Sequence, residues 1–137
     1  MTIKVRPRGS YFIPPAHVGE QAAQQAAPRM RKLGRAVTRT ARRRVNVRSG
    51  HLRSTIGDRT TVLGATVLTE TYATAKYARF VHDPTRAHAI VPRHARALRF
   101  QVGGRTVFAR RVWHPGYRGN PFLASAVRDE LAKAKMI

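Results

Sequence analysis

The stretch AAPRMRKLGRAVTRTARRR, residues 26–44, decides the fold because its apolar and basic residues separate onto two faces of a helix. At about 100° per residue, the apolar and small positions fall within one stripe about 80° wide. The members of this predicted core stripe are Ala26, Met30, Leu33, Gly34, Val37 and Ala41. The pattern predicts a helix from about residue 18 to residue 44, in which Pro28 either kinks one long helix or opens a second one.

A row of basic side chains occupies the opposite side of the same predicted helix. This basic ridge consists of Arg31, Lys32, Arg35, Arg39, Arg42 and Arg43. Solvated helix faces usually mix signs, because like charges four residues apart cost a few tenths of a kcal/mol. No acid interrupts the ridge, so we interpret it as a surface that faces nucleic-acid phosphates instead of an ordinary solvated face.

Strand patterns follow the helix. The chain breaks at residues 46–50, and residues 60–71 are rich in Thr, Val and Leu, which predicts a strand with Gly57 and Asp58 as its turn. In residues 97–102, apolar side chains alternate with polar or small ones, as in a half-buried strand. The pair Gly103-Gly104 then separates this strand from another extended pattern at residues 105–112, so we expect a β-hairpin.

A short amphipathic helix is predicted at the end of the sequence. Asn120 is a good N-cap residue, Pro121 suits the first helical position, and apolar residues recur at helical spacing from Leu123 to Ala134. Helix, strands and helix in this order predict an α+β fold, in which a long N-terminal helix packs on a curved, mainly antiparallel sheet with a short C-terminal helix. The residues expected to share its core are Leu33, Val37, Leu98, Phe100 and Leu123.

Residues 1–17 differ in composition from the rest. Pro7, Gly9, Pro14 and Pro15 interrupt short apolar pieces, which is typical of an arm. We therefore divide the chain into an N-terminal arm, residues 1–17, and a single domain, residues 18–137. The arm is expected to order on a neighbouring subunit instead of on its own domain.

Composition limits the function classes. A chain of 137 residues has room for one modest core, and 27 Lys and Arg against 6 Asp and Glu give a formal net charge of +21. Such a charge indicates a polyanionic partner, either nucleic acid or an anionic membrane. A preference for Arg codons would explain the excess of Arg over Lys but not the shortage of acids. The absence of Cys excludes disulfides and thiolate chemistry, and we see no signal peptide or membrane-spanning run and therefore expect a soluble protein made in a cytoplasm.

The sequence offers little catalytic chemistry. Its six carboxylates are scattered apart from Asp129 and Glu130, which we expect to face solvent on the last helix. The candidate metal ligands are His82, Asp83, His88, His94 and His114, but none belongs to a metal-binding motif on a helix. We predict neither an enzyme nor a cofactor or metal site, although a metal hydrolase using His82 and Asp83 remains an alternative.

Four fragments in a fixed order carry a resemblance to a known family. They are SGHLRSTI at residues 49–56, YARFVH at 77–82, HPG at 114–116 and NPFL at 120–123, the last leading into the final helix. In this order they resemble the tail-completion proteins of long flexible-tailed bacteriophages. Family members commonly have an acid and Gly-Thr after the second fragment, whereas this chain has HDPT at residues 82–85, so that loop is expected to differ.

The resemblance implies a structural, non-enzymatic subunit of the phage neck. Such a subunit forms a ring or capping layer around the DNA path, between the head connector and the tail tube. Its implied partners are further copies of itself, a head-closure or connector protein and a tail terminator protein, with packaged double-stranded DNA close by and no membrane. The implied location is the head–tail junction of the virion, after assembly in the host cytoplasm. The alternative is a free nucleic-acid-binding protein without sequence preference.

Overall fold

The computed structural model describes residues 1–5 and 16–135. In chain order the elements are β1 (Thr2–Val5), α1 (Ala16–Arg44), α2 (His51–Ser54), β2 (Ile56–Leu63), β3 (Thr66–Ala73), α3 (Ala78–His82), β4 (His88–Ile90), β5 (Leu98–Val102), β6 (Arg105–Ala109), β7 (Val112–His114) and α4 (Phe122–Lys133). The chain is therefore α+β, with a long N-terminal helix, antiparallel sheets and a short C-terminal helix, as predicted.

The largest sheet has three strands in the order β1-β3-β2, and all its pairings are antiparallel. The predicted turn at Gly57 and Asp58 is wrong, because both residues lie inside β2 and the chain turns at Gly64 and Ala65. Gly57 pairs with Tyr72, and a Cβ at Gly57 would lie 2.8 Å from the Tyr72 hydroxyl. Gly57 therefore makes room for a ring across the strand, and does not form a turn.

The first residues belong to this sheet. Thr2–Val5 pairs with β3 from Tyr72 to Thr69, and Met1 exchanges hydrogen bonds with the backbone of Ala73. The expectation that the whole arm orders on a neighbour is thus wrong for its first residues, because their alternating pattern completes the edge of their own sheet. The predicted boundary of the arm at residue 17 is wrong, because residues 16 and 17 already belong to α1. Residues 6–15 of the predicted arm lie outside the described residues.

Helix α1 packs against β2, β3 and α4, and it runs through Pro28 as one continuous helix. The predicted core stripe is largely confirmed, since Met30, Gly34, Val37 and Ala41 are buried and Leu33 is half-buried. The prediction is wrong for Ala26, which is exposed, whereas its neighbour Ala27 is buried. Adjacent residues point about 100° apart on a helix, so Ala26 lies beyond the edge of the contact with the sheet.

Helix α4 completes the core with Phe122, Leu123 and Ala126, all fully buried. Asn120 does not cap this helix. Its side-chain amide donates to the Arg44 carbonyl oxygen at 2.9 Å and to Asn46 Oδ1 at 3.1 Å, and thereby satisfies the end of α1. The prediction of an N-cap at Asn120 is therefore wrong, because the last turn of α1 comes within reach of its side chain.

Strands β5 and β6 form the predicted hairpin, with Leu98 opposite Ala109 and the turn at Gly103-Gly104. The hairpin ends at Ala109, and Val112–His114 pairs separately with β4. Leu98 and Phe100 are only half-buried and lie outside the core cluster that holds Val37 and Leu123. The predicted shared core is wrong for these two residues, because the two strands pack on each other and have no extensive contact with another element.

Glu130 is buried between α4 and α1, which corrects its predicted position in solvent. Its Oε1 accepts hydrogen bonds from the Thr40 hydroxyl at 2.7 Å and from Lys133 Nζ at 2.8 Å. The bonds from Lys133 and Thr40 lower the pKa of Glu130 below its ordinary value of 4.5. The ionised carboxylate therefore stabilises the contact between the two helices.

This contact makes stability dependent on pH. Because the pKa of Glu130 is lower in the folded chain than in the unfolded chain, its contribution is present above about pH 4.5 and is lost as the pH falls through the folded value. We expect Glu130→Gln to reduce the loss of unfolding free energy on acidification, as measured by urea denaturation at a series of pH values. Lys133→Met should act in the same direction, whereas pH profiles identical to that of the parent would contradict the assignment.

Candidate nucleic-acid interface

All six residues of the basic ridge are exposed on α1. The side chains of Arg31, Lys32, Arg35 and Arg39 make no hydrogen bond or ion pair with the described part of the chain. Their charges are thus available to an external anion. The predicted grouping of these four side chains on one surface agrees with the structure.

The other two ridge residues are engaged within the chain. The Arg42 guanidinium donates to the Ile56 carbonyl oxygen from Nε at 3.2 Å and from Nη2 at 2.7 Å. Arg43 Nη2 donates to the Thr40 hydroxyl at 3.0 Å, and that hydroxyl in turn donates to Glu130. Both side chains keep their charge, but their geometry serves the packing of α1 on β2 and α4. The part of the ridge without internal bonds, called the free part of the ridge below, consists of Arg31, Lys32, Arg35 and Arg39. It is therefore shorter than the sequence predicts.

Four of the six acids form ion pairs, all of them away from the free part of the ridge. Glu70 accepts from Arg59 at 2.6 Å and lies 3.7 Å from Lys4 Nζ, and the hydrogen bond from Arg59 lowers the pKa of Glu70. The remaining pairs join Asp83 to Arg79 and His82, Asp129 to Arg44, and Glu130 to Lys133. Asp58 accepts a hydrogen bond from Thr38 at 2.8 Å. No carboxylate in the described residues forms an ion pair with the free ridge.

The structure has a second basic surface that the sequence patterns did not predict. It lies on the β5–β6 hairpin and the segments beside it, and its exposed members are Arg93, Arg96, Arg99, Arg105, Arg110 and Arg111. No Asp or Glu occurs anywhere between Asp83 and Asp129. That long acid-free interval was the signal that could have identified this surface. The periodicity of a single helix could not, because the arginines are spread over strands and loops.

Three of the four fragments that carry the family resemblance, at residues 49–56, 77–82 and 120–123, come together at one end of α1. Asn120 N donates to the Val81 carbonyl oxygen at 2.9 Å, and the rings of Phe122 and His82 meet edge to face with centroids 5.4 Å apart. The rings of His51 and Tyr77 lie 6.1 Å apart. Segments separated by up to 70 residues in the chain therefore share one neighbourhood, which their sequence order alone did not predict.

A cleft of about 320 Å³ opens between the first two fragments, next to Tyr117. Its apolar wall contains Val47, Leu52, Tyr77, Phe80, Val81 and Tyr117, and its rim carries Arg48 and Arg53. Phe80 is 73% exposed, which is unusual for so large an apolar side chain. The cleft therefore offers a partly apolar contact surface next to basic side chains.

The histidines do not converge on a metal position. His82 is buried, and its Nδ1 lies 2.8 Å from Asp83 Oδ1, while the rings of His88 and His114 stack with centroids 5.0 Å apart. Within residues 1–5 and 16–135, no group of three or more His, Asp or Glu side chains is arranged to hold a metal ion. The pairs that do form are explained by strand pairing and by packing against Phe122.

The free part of the ridge gives a direct prediction for DNA binding. Replacing Arg31, Arg35 and Arg39 together by Gln should weaken binding to a short DNA duplex. The slope of the logarithm of the binding constant against the logarithm of salt concentration should fall by about 0.9 for each phosphate that the variant no longer neutralises. Fluorescence anisotropy over a range of salt concentrations measures both quantities.

The matched control removes three positive charges elsewhere. Lys76, Arg118 and Arg128 are exposed and make no hydrogen bond with other described residues, so their replacement by Gln changes net charge without touching the ridge. The ridge variant should lose more affinity than this control. Equal salt slopes for the two variants would place the DNA-binding surface away from the ridge.

In the described part of the chain, no helix is both long enough and apolar enough to cross a membrane. Comparison with known proteins finds no family model, no curated protein and no solved structure that matches this chain.

Proposed function

We propose that the chain is a structural subunit of the neck of a long-tailed bacteriophage, joining the DNA-filled head to the tail tube. In this role it forms a ring or capping layer with further copies of itself around the DNA path. A head-closure or connector protein lies on one side and a tail terminator protein on the other. Its work is to bind neighbours, so it needs no catalytic residue, metal or cofactor.

The observation that carries this proposal is the meeting of three of the four fragments at one place in the fold. Fragments matched by chance would be scattered over the molecule, whereas these contact one another through Asn120, Val81, His82 and Phe122. All three contribute to the core cluster, through Leu52 and Ile56, Ala78, and Phe122 and Leu123. The likeness to tail-completion proteins therefore rests on one physical unit of the fold.

Exposed apolar side chains give independent support for a role in an assembly. Phe80, Phe108 and Trp113 are 73%, 66% and 62% exposed. Of these, Phe80 lies with the exposed rings of Tyr77 and Tyr117 in the cleft, and exposed apolar groups that lie together commonly mark surfaces that bind other proteins. A neighbouring neck protein would bury Phe80 there.

A genetic experiment tests the proposal. A nonsense mutation in the gene for this chain, in the phage that carries it, should yield DNA-filled heads and tails that remain separate in a non-suppressing host. Expression of the parent chain in trans should restore joined particles. Normal, infectious particles from the mutant would contradict the proposed role.

A complementation variant makes the test specific to the cleft. Phe80→Ser removes an exposed ring and little of the core, so the variant should fold but fail to restore joining. Arg118→Gln changes another exposed side chain and should restore joining as the parent chain does. Full restoration of joining by Phe80→Ser would show that the cleft is not part of the interface with other neck proteins.

A free nucleic-acid-binding protein is the second candidate, favoured by the two acid-free basic surfaces. The two functions predict different masses in solution. A neck subunit should form a discrete ring or should bind head and tail proteins, whereas a free binding protein should stay a monomer or dimer and bind only nucleic acid. Native mass spectrometry of the purified chain, alone and with DNA, distinguishes them.

A further inference from the structure

The β5–β6 hairpin stands apart from the core and has two different faces. Paired residues of an antiparallel ladder share a face, and successive residues alternate between faces. One face carries Leu98, Phe100, Val107 and Ala109, all half-buried, and next to the turn the exposed pair Val102 and Arg105. The other carries Arg99 opposite Phe108 and Gln101 opposite Thr106, all exposed.

The exposed face combines positive charge with an aromatic ring. Phe108 is 66% exposed, and its ladder partner across the hairpin is Arg99. Arg110 and Arg111 follow directly after β6, next to this face. No described acid forms an ion pair with any of these arginines, so their guanidinium groups are free to bind an external anion.

We propose that this face of the hairpin, together with its flanking arginines, is a nucleic-acid-binding element that grips the phosphate backbone. A guanidinium group presents parallel N–H donors that match two phosphate oxygens, which makes arginine well suited to this role. Phe108 offers an exposed ring on which an unpaired base can stack. A two-stranded ribbon also fits the major groove of duplex DNA, so both forms of nucleic acid share the chemistry that the hairpin recognises.

An acidic protein is the competing partner, and the composition of the face argues against it. Arginine and aromatic residues occur at both kinds of interface, but interfaces with DNA are much more positively charged than those between proteins. Here the exposed strand face consists of one arginine, two polar side chains and one aromatic ring, with further arginines beside it. The inference does not depend on the neck assignment, because it concerns binding by the purified chain.

The test compares two variants of the full chain that lose equal charge. The hairpin variant carries Arg99→Gln, Arg110→Gln and Arg111→Gln, and the control carries Lys76→Gln, Arg118→Gln and Arg128→Gln. None of these side chains is buried or hydrogen-bonded to another described residue, so both variants should keep the melting temperature of the parent. Binding to a DNA duplex and to a single strand of equal length is measured over a range of salt concentrations.

We expect the hairpin variant to bind more weakly than the control. For each phosphate that it no longer neutralises, its salt slope should fall by about 0.9 on the duplex and about 0.7 on the single strand. Equal affinities and equal slopes for the two variants would overturn the proposal. Polyglutamate serves as the acidic protein probe. If the hairpin variant loses as much affinity for polyglutamate as for either DNA, the element recognises acidic protein and the proposal is wrong.

Phe108→Ala identifies the form of nucleic acid. Without the ring, one base can no longer stack, so affinity for the single strand should fall by about tenfold while affinity for the duplex stays unchanged. That result assigns the ligand as unpaired nucleic acid. If the variant binds the single strand as the parent does while the arginine variant is impaired on duplex, the hairpin binds the duplex backbone.

Discussion

Replacing Phe122 by Ala should lower the free energy of unfolding by about 3–5 kcal/mol, the largest effect that we expect from any single truncation. The Phe122 side chain is 0% exposed and is the largest of the fully buried side chains in the described residues. It lies at the start of α4 in the cluster that includes Val37 and Ile56, so its removal leaves a cavity between helix and sheet. Urea denaturation measures the change.

Phe108→Ala is the matched control, because it makes the same chemical change on the hairpin. Phe108 is 66% exposed, and its removal should change the free energy of unfolding by no more than about 0.5 kcal/mol. A large loss of stability in this control would show that the hairpin packs on the core in solution. A loss of less than about 1 kcal/mol for Phe122→Ala would contradict the arrangement of the core.

Gly119→Ala should cost about 2–5 kcal/mol, from backbone strain and a steric clash together. Gly119 has a φ of 77°, and a Cβ there would lie 2.8 Å from the backbone of His82, Asp83 and Pro84. The two backbone segments cannot easily move apart, because the Asn120 N–H donates to the Val81 carbonyl oxygen at this point. The substitution should therefore separate the second and fourth family fragments, and the melting temperature reports it.

Gly50→Ala provides the comparison for strain alone. Gly50 has a φ of 82°, close to that of Gly119, but a Cβ there would have no atom within 4 Å. We expect a cost of about 1–2 kcal/mol at Gly50, so the difference between the two variants measures the close approach at Gly119. Equal losses of stability would show that the loop carrying Gly119 does not lie against the segment from His82 to Pro84.

Local patterns predicted the elements that depend on local interactions. The apolar spacing of Met30, Val37 and Ala41 located the buried face of α1, because helical periodicity is independent of what covers the face. Gly103-Gly104 located the turn of the β5–β6 hairpin for the same reason. The final helix was predicted from the spacing of Leu123 and Ala126, and both are fully buried.

Long-range contacts were not predicted. The pairing of Thr2–Val5 with β3 joins segments far apart in sequence, and nothing in either segment specifies the other. The side chain of Asn120 meets the end of α1 only because α4 packs there. Leu98 and Phe100 alternate as a core strand would, but alternation does not reveal whether the apolar face meets the main core or stays on a separate hairpin.

The candidate interface was predicted in part. Charge periodicity placed six basic side chains on one face of α1, but it did not show that Arg42 bonds to β2 or that Arg43 bonds to Thr40 of α1 itself. The hairpin arginines were missed because their proximity depends on strand pairing between residues 98 and 109. An acid-free interval in the sequence was the local sign of this surface.

Cryo-electron microscopy of intact particles of the phage that carries this chain tests the proposed function most directly. We expect a ring of density between the head connector and the tail tube. The domain should fit this density with α1, the main sheet and α4 in the arrangement described. The cleft around Phe80 should contact a neighbouring protein. The proposal would be contradicted if other proteins accounted for all density at the head–tail junction, or if this chain lay elsewhere in the particle.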